Sequence, residues 1–159
     1  MSYRAAPLDR MARVVTRFTW ALAGLFLALG VWLAADADAA GWVLLAVGVL
    51  LAVMMGYLWR LQPLGYVVED GAFAVHRRSA PPRRFAGIPA HVRQGALGLR
   101  VAGDGGAYGY LGRFRVDGRT VRAFVTDRSK VALLDVGGTT LAISPSNRDT
   151  FVAEVGHGA

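Results

Sequence analysis

The sequence of 159 residues contains no cysteine, which excludes disulfide bonds, thiolate metal sites and cysteine nucleophiles. Lysine is almost absent as well, since Lys130 is the only one. The net charge of +7 is therefore carried by arginine, whose planar guanidinium suits partners that present phosphate, such as nucleic acid or anionic lipid. The length corresponds to about one domain.

Charged residues are missing from two long apolar stretches, residues 18–35 and 41–59. Each is close to the ~20 residues that a helix needs to cross a ~30 Å hydrocarbon core. We therefore predict two transmembrane helices. All four tryptophans lie near the ends of the stretches, where indole rings anchor a helix at the membrane interface: Trp20, Trp32, Trp42 and Trp59.

The short connection between the stretches predicts an antiparallel transmembrane hairpin over residues 18–61. A basic segment, residues 1–17, precedes the first stretch and Arg60 follows the second, whereas the connection carries Asp36 and Asp38. Because positive charge stays on the cytoplasmic side, we expect both termini in the cytoplasm. Cleavage of the first stretch as a signal peptide is the alternative, although its apolar core exceeds the usual 7–15 residues.

Small residues recur at four-residue spacing in both stretches, and such stripes let helices approach closely in lipid. We expect them to pack within the hairpin, and contact between subunits is the alternative. The absence of charge inside either stretch argues against a channel or carrier. The candidate packing residues are Gly24, Ala28, Gly48, Ala52 and Gly56.

Beyond the second stretch, short strands separated by polar turns predict a mainly β domain over residues 62–156, with about seven antiparallel strands in a bent sandwich or barrel. Turns are expected at residues 69–71, at Asp117-Gly118 and at Gly137-Gly138. A closing helix is predicted over about residues 145–155. Ser144 would be its N-cap and Pro145 its first residue. Its apolar face is formed by Phe151, Val152 and Val155.

Residues 103–114 contain five glycines after a predicted strand, as a nucleotide fingerprint does. The segment that follows is another strand, however, and a phosphate cradle needs the N-terminus of a helix. Position 108 is tyrosine where the fingerprint needs glycine. The glycines therefore predict a β-hairpin or bulge with positive φ angles, carrying Tyr108 and Tyr110 as exposed or half-buried side chains.

The densest basic group lies in residues 76–84, at the expected end of a hairpin. Near an anionic leaflet each arginine contributes about 1 kcal/mol of attraction. An ordinary solvated surface is the alternative, and no recognition motif supports nucleic acid. The candidate contacts for anionic lipid or a partner are Arg60, Arg77, Arg78, Arg83 and Arg84.

No constellation of catalytic or metal-binding residues is apparent. The histidines, His76, His91 and His157, lie in separate segments without the spacing of a metal site. Ser129 and Ser144 have no neighbouring base in a recognisable order. We expect no enzyme activity, no metal and no cofactor.

Three motifs together resemble the membrane-anchored bacterial PH-domain proteins: the glycine-rich residues 103–114, the aromatic-x-Thr-Asp residues 124–127, and the Ser-Pro…Phe-Val residues 144–152. The resemblance implies a seven-stranded PH-like sandwich capped by a C-terminal helix, in a bacterial inner membrane protein. Eukaryotic relatives bind phosphoinositides through a basic first hairpin loop, and here that loop, residues 69–71, is acidic.

We therefore expect a non-catalytic PH-like scaffold at the cytoplasmic face of the membrane that binds a protein partner or self-assembles. Two alternatives stay open: a domain that binds or senses anionic lipid, and an accessory subunit of a membrane transport or secretion complex.

Overall fold

The computed structural model describes residues 1–36 and 38–156, so His157 lies outside the described residues. Two helices, α1 (Arg10–Ala34) and α2 (Ala39–Leu61), form an antiparallel hairpin. The Asp9 side chain caps α1 and the Asp38 side chain caps α2. Helix α1 begins eight residues before the predicted apolar stretch, because its first two turns belong to the β domain rather than to the apolar hairpin.

The two helices approach each other closely at Gly30 and Gly48, where a side chain would collide with the other helix. A Cβ on Gly48 would lie 2.9 Å from Leu27 Cγ, and one on Gly30 would lie 2.7 Å from the Leu45 nitrogen. Gly24 and Ala28, by contrast, are exposed, so the expectation that this stripe packs within the hairpin does not hold for them. A Cβ on Gly56 would also meet open space.

Ten strands and a C-terminal helix complete the described chain. The strands are β1 (Ser2–Arg4), β2 (Pro63–Glu69), β3 (Ala72–Arg77), β4 (Arg83–Ala86), β5 (Ala90–Gln94), β6 (Arg100–Gly105), β7 (Tyr110–Val116), β8 (Arg119–Val125), β9 (Ala132–Val136) and β10 (Thr139–Ile143), and the helix is α3 (Arg148–Gly156). A 3-10 turn, Arg128–Lys130, connects β8 to β9.

The strands form two sheets that pack face to face. One has the order β1-β2-β3-β4 and the other the order β5-β9-β10-β8-β7-β6. All pairs are antiparallel except β8 with β10. The predicted fold class is confirmed. The described chain has ten strands rather than about seven, and β1, which precedes the helices, and β5 are among the additional ones.

Two-residue turns set the register of three hairpins. Both central residues have positive φ at Asp70-Gly71, Asp117-Gly118 and Gly137-Gly138. Such turns match the right-handed twist of the strands that they join, which is why Asp-Gly and Gly-Gly are favoured there. The predicted turns at these positions are confirmed.

Each face of the six-stranded sheet covers a separate core. One core lies between the two sheets and includes Tyr66, Phe73 and Phe124, and α3 closes it with Phe151 and Val155. The other core lies on the opposite face, where Ala12 of α1 packs with Tyr110, Phe114 and Leu133. The start of α1 is thus part of the domain core.

Helix α3 begins at Arg148, three residues later than predicted, and Ser144 is not its N-cap. Asn147 takes this place, because its Oδ1 accepts a hydrogen bond from the Thr150 nitrogen at 3.3 Å. Ser144 is fully buried, and Pro145 forms a β-bridge with Ala5 instead of opening the helix. The predicted apolar face is found, since Phe151 and Val155 are buried.

Candidate functional site

The glycine-rich hairpin, formed by β6, the tip at residues 106–109 and β7, lies against α1. Tyr108 sits in the tip with a φ of 57°, and its N–H donates to Thr16 Oγ1 at 3.0 Å. Trp20 Nε1 donates to Tyr108 Oη at 2.7 Å. A Cβ on Gly106 would meet Val15 at 3.4 Å. The segment is therefore a hairpin that fastens the domain to the helix, and the predicted hairpin is confirmed. The expectation that Tyr110 is exposed or half-buried is wrong, because Tyr110 is buried in the core that includes Ala12 of α1.

Asp9 joins three elements at the point where α1 leaves the domain. Its Oδ1 accepts from the Ala12 nitrogen at 2.7 Å and from Tyr110 Oη at 3.3 Å, and its Oδ2 accepts from the Arg128 nitrogen at 3.2 Å. Burial and the nearby Asp9 carboxylate raise the pKa of Tyr110 to about 12, so the phenol stays a donor. The carboxylate thus holds α1, β7 and the 3-10 turn together.

A buried polar cluster joins the Thr-Asp and Ser-Pro motifs to the N-terminal segment. Tyr66 Oη donates to the Phe124 carbonyl at 2.7 Å and accepts from the Ser144 nitrogen at 3.1 Å. Thr126 Oγ1 donates to the Ala6 carbonyl at 2.6 Å. The Ser144 hydroxyl lies 3.0 Å from Thr126 Oγ1 and accepts from the Thr126 nitrogen. These motif residues hold backbone together, and Asp127 caps the 3-10 turn.

Two of the candidate arginines make contacts within the protein near the end of α2. Arg60 donates from Nε and Nη2 to the Ser79 carbonyl at 3.4 Å. Arg78 lies over the Trp59 ring at 5.2 Å and donates to Gln62 Oε1 at 3.2 Å. They tie the helix end to the turn after β3. Arg84 is exposed on β4.

The other two candidates, Arg77 and Arg83, line a cavity of about 440 Å³ between the end of α2 and the two sheets. Arg77 donates to the Pro81 carbonyl, and Arg83 lies 5.8 Å from the Phe124 ring centroid. Arg113 of β7 and Arg122 of β8, which are not among the candidates predicted from the sequence, line the same cavity. We call it the arginine cavity.

Arg113 and Arg122 are register partners, so two positive charges lie opposite each other on neighbouring strands. Burial, followed by the charges of Arg83 and Arg113, lowers the pKa of Arg122. Neither side chain has a hydrogen bond or ion pair to the described residues; the ion pairs there are Arg93–Asp117 and Arg148–Asp149. The cavity therefore concentrates positive charge.

Asp104 is the one carboxylate in the lining of the arginine cavity. Its Oδ1 accepts from the Ala107 nitrogen at 3.3 Å, whereas its Oδ2 is buried without a hydrogen-bond partner among the described residues. Burial raises its pKa to about 6, although the backbone N–H groups of the hairpin tip and the charge of Arg100 oppose this.

The remaining walls of the cavity are apolar. Tyr57, Leu58 and Leu61 come from the last two turns of α2, and Leu111 and Phe124 come from the sheet. The cavity opens beside a helix whose surface is apolar along most of its length.

The four tryptophans lie at the two ends of the helical hairpin. Trp20 and Trp59 are at the domain end, and Trp32 and Trp42 are near the connection, with 40–67% of each residue exposed. This placement is the one that interface anchoring requires, and the anchoring itself stays a prediction.

Residues 89–157 match the family model described as a bacterial PH domain. The match covers β5 to α3 and thus the sheet that holds the glycine-rich hairpin and the Thr-Asp and Ser-Pro motifs. No curated protein and no solved structure matches the sequence.

Proposed function

We propose that this chain, which carries a bacterial PH domain at residues 89–157, is a membrane-anchored interaction module without catalytic activity. Helices α1 and α2 cross a bilayer, and the β domain lies on its cytoplasmic side, where it binds a protein partner or a second copy of the chain. The observation that carries this proposal is the continuity of α1, whose first turns are in the domain core and whose later turns are apolar and exposed.

The exposure of the helices supports insertion into lipid. Both have an 18-residue window that is apolar enough to cross a membrane, and only 17% of each window is buried. A core helix of a soluble domain would be mostly buried, and an apolar surface of this size left in water would promote association. At ~1.5 Å per residue, α2 exceeds the ~30 Å hydrocarbon core, and the part of α1 that follows its first two turns comes close to this length.

Charge asymmetry supports the orientation. Arg17 and Arg60 lie at the end of the hairpin that adjoins the domain, and Asp36 and Asp38 lie at the other end. The arginine-rich end stays in the cytoplasm in most membrane proteins. The domain therefore belongs on the cytoplasmic side.

Strand β6 supplies a docking edge. It ends the six-stranded sheet, and no described strand pairs with its outer side. Val101 on this strand is 57% exposed and Leu99 just before it is 81% exposed. An open edge flanked by exposed apolar side chains suits the addition of a strand from a protein partner.

The proposal that the chain is not catalytic is supported by the hydrogen bonds that its polar side chains make within the fold. Tyr66, Thr126 and Ser144 are hydrogen-bonded to backbone and to one another inside the core, and Asp9 is occupied as a cap. These groups stabilise the fold, and each would have to break a buried hydrogen bond to react with a substrate.

Labelling of introduced cysteines tests membrane anchoring and orientation. Because the chain has no cysteine, Asp36→Cys in the connection and Glu69→Cys at the end of β2 each give a single thiol. In intact spheroplasts, a membrane-impermeant maleimide should label the first variant only, and permeabilisation should expose the second. Labelling of Glu69→Cys in intact spheroplasts, or release of the protein by alkaline carbonate, contradicts the proposal.

Photo-crosslinking tests the docking edge. A benzophenone attached to Val101→Cys should give a protein adduct in native membranes, whereas the matched control Thr120→Cys, exposed on the interior strand β8, should not. Equal adducts from both positions, or none from either, would rule out β6 as the contact.

A further inference from the structure

The arginine cavity has a positively charged side and an apolar side, and few kinds of ligand complement both. Its sheet side presents Arg113 and Arg122, opposed and without anionic partners among the described residues, with Arg77 and Arg83 beside them. Its helix side is apolar. A guanidinium pair suits phosphate oxygens, and an apolar wall suits hydrocarbon.

The position of the cavity indicates that such a ligand comes from the membrane. Tyr57, Leu58 and Leu61 lie at the domain end of α2, on the stretch that enters the bilayer under the proposed function. A lipid of the adjoining leaflet would place its headgroup at the level of the sheet and its chains along the helix. Soluble phosphates would leave the apolar wall without a partner.

We propose that the arginine cavity binds one anionic phospholipid, with its phosphate held between Arg113 and Arg122 and an acyl chain against Leu58 and Leu61 of α2. The inference rests on membrane anchoring, because the lipid reaches the cavity from the bilayer. It assigns the specific contact to arginines on β7 and β8, whereas Arg60 and Arg78 bind the protein itself.

Asp104 belongs to the same lining and opposes an anion when it is ionised. Arg100 is the other charged group on its own strand, and Arg113 of β7 and Arg122 of β8 line the same cavity. Four arginines against one carboxylate leave the lining positive in every protonation state. The carboxylate weakens phosphate binding without preventing it.

Native mass spectrometry of the full chain, released from nanodiscs of phosphatidylcholine with a small fraction of phosphatidylglycerol, tests this inference. The wild type should retain one phosphatidylglycerol in preference to phosphatidylcholine. Arg113→Gln with Arg122→Gln should lower the apparent affinity at least about tenfold, since two charge-assisted contacts are lost. The matched control, Arg115→Gln with Arg119→Gln, removes one exposed arginine from each of the same strands outside the cavity and should change it less than about twofold.

A second variant keeps every charge. Ala102→Trp, at an exposed position of the cavity lining, should also abolish retention by filling the space. Equal retention of both lipids, equal loss in the control pair, or full retention by Ala102→Trp overturns the inference. Displacement of the lipid by soluble glycerol 3-phosphate at similar concentration also overturns it, because the apolar wall would then contribute nothing.

The failure of this assay can be distinguished from the failure of membrane anchoring. A chain that is labelled as expected but retains no lipid loses the cavity assignment and keeps its anchoring. A chain that alkaline carbonate releases loses both, since the lipid would have no leaflet to come from.

Discussion

Arg113 of β7 and Arg122 of β8 lie directly opposite each other in an antiparallel pair, on the sheet face that lines the arginine cavity. Like charges opposed across two strands destabilise the pair. A bound anion removes this repulsion, so the stability of the domain becomes linked to occupancy of the cavity.

The first prediction is that the effect of Arg113→Gln on the stability of the domain changes sign when anionic lipid is added. In neutral detergent the variant should be more stable than the wild type, by up to about 1 kcal/mol, because the opposed charges are gone. With phosphatidylglycerol present it should be less stable, because it cannot gain from binding. Thermal unfolding in both conditions measures this, with Arg115→Gln as the control; the same sign in both conditions would contradict it.

The second prediction concerns the hydrogen bond from Trp20 to Tyr108. Trp20→Phe and Tyr108→Phe should each cost stability, and the double variant should cost less than their sum, with a coupling of about 1 kcal/mol. Unfolding of the four proteins of this cycle gives the value. As a control, the stability losses from Trp32→Phe, at the far end of the helix, and from Tyr108→Phe should add. A coupling energy between these two distant positions would argue against a local contact.

The third prediction concerns the buried Tyr66 hydroxyl. Tyr66→Phe leaves the Phe124 carbonyl and the Ser144 nitrogen without this partner, and the loss should be about 3 kcal/mol. Tyr57→Phe is the control, because Tyr57 is 61% exposed, and it should cost less than about 0.5 kcal/mol. Chemical denaturation in detergent compares the two, and equal losses would show that the buried network contributes little.

The fourth prediction concerns pH and Asp104. Its pKa is about 6 in the folded protein and 3.8 in the reference state, so the folded state binds the proton more tightly. Ionisation therefore destabilises the fold, fully above pH 6 and less and less as the pH falls from 6 towards 3.8. Asp104→Asn should raise the melting temperature in neutral detergent at about pH 8, and this gain should shrink at about pH 4.5. An equal gain at both values would mean that the carboxylate is not the cause.

Local signals accounted for the parts of the fold that short segments determine. The apolar stretches predicted the helices, and Asp117-Gly118 predicted the β7–β8 turn. Strand β1 was not predictable in this way, because three residues acquire strand character only through pairing with β2, far along the chain. Ser144, a common cap residue, predicts the start of α3 three residues too early, because its side chain belongs to a buried hydrogen-bonded cluster instead.

The site was half predictable. A two-residue turn at Asp117-Gly118 fixes Arg113 opposite Arg122, so the pair could have been read from the sequence. The approach of Arg77 and Arg83 to this pair depends on how the two sheets pack, and no local pattern encodes that distance. The charge density of residues 76–84 therefore marks Arg77, Arg78, Arg83 and Arg84 equally, and it does not distinguish the two that line the cavity.

The pairing of β1 with β2 has a consequence for biosynthesis. The two long helices are inserted in the chain between these partner strands, so β1 leaves the ribosome several seconds before β2 at typical translation rates. The first strand must wait unpaired while the helical hairpin is made. Once β2 is made, its pairing with β1 joins the two ends of the helical hairpin. The helices can then separate at that end only if the hydrogen bonds between β1 and β2 break.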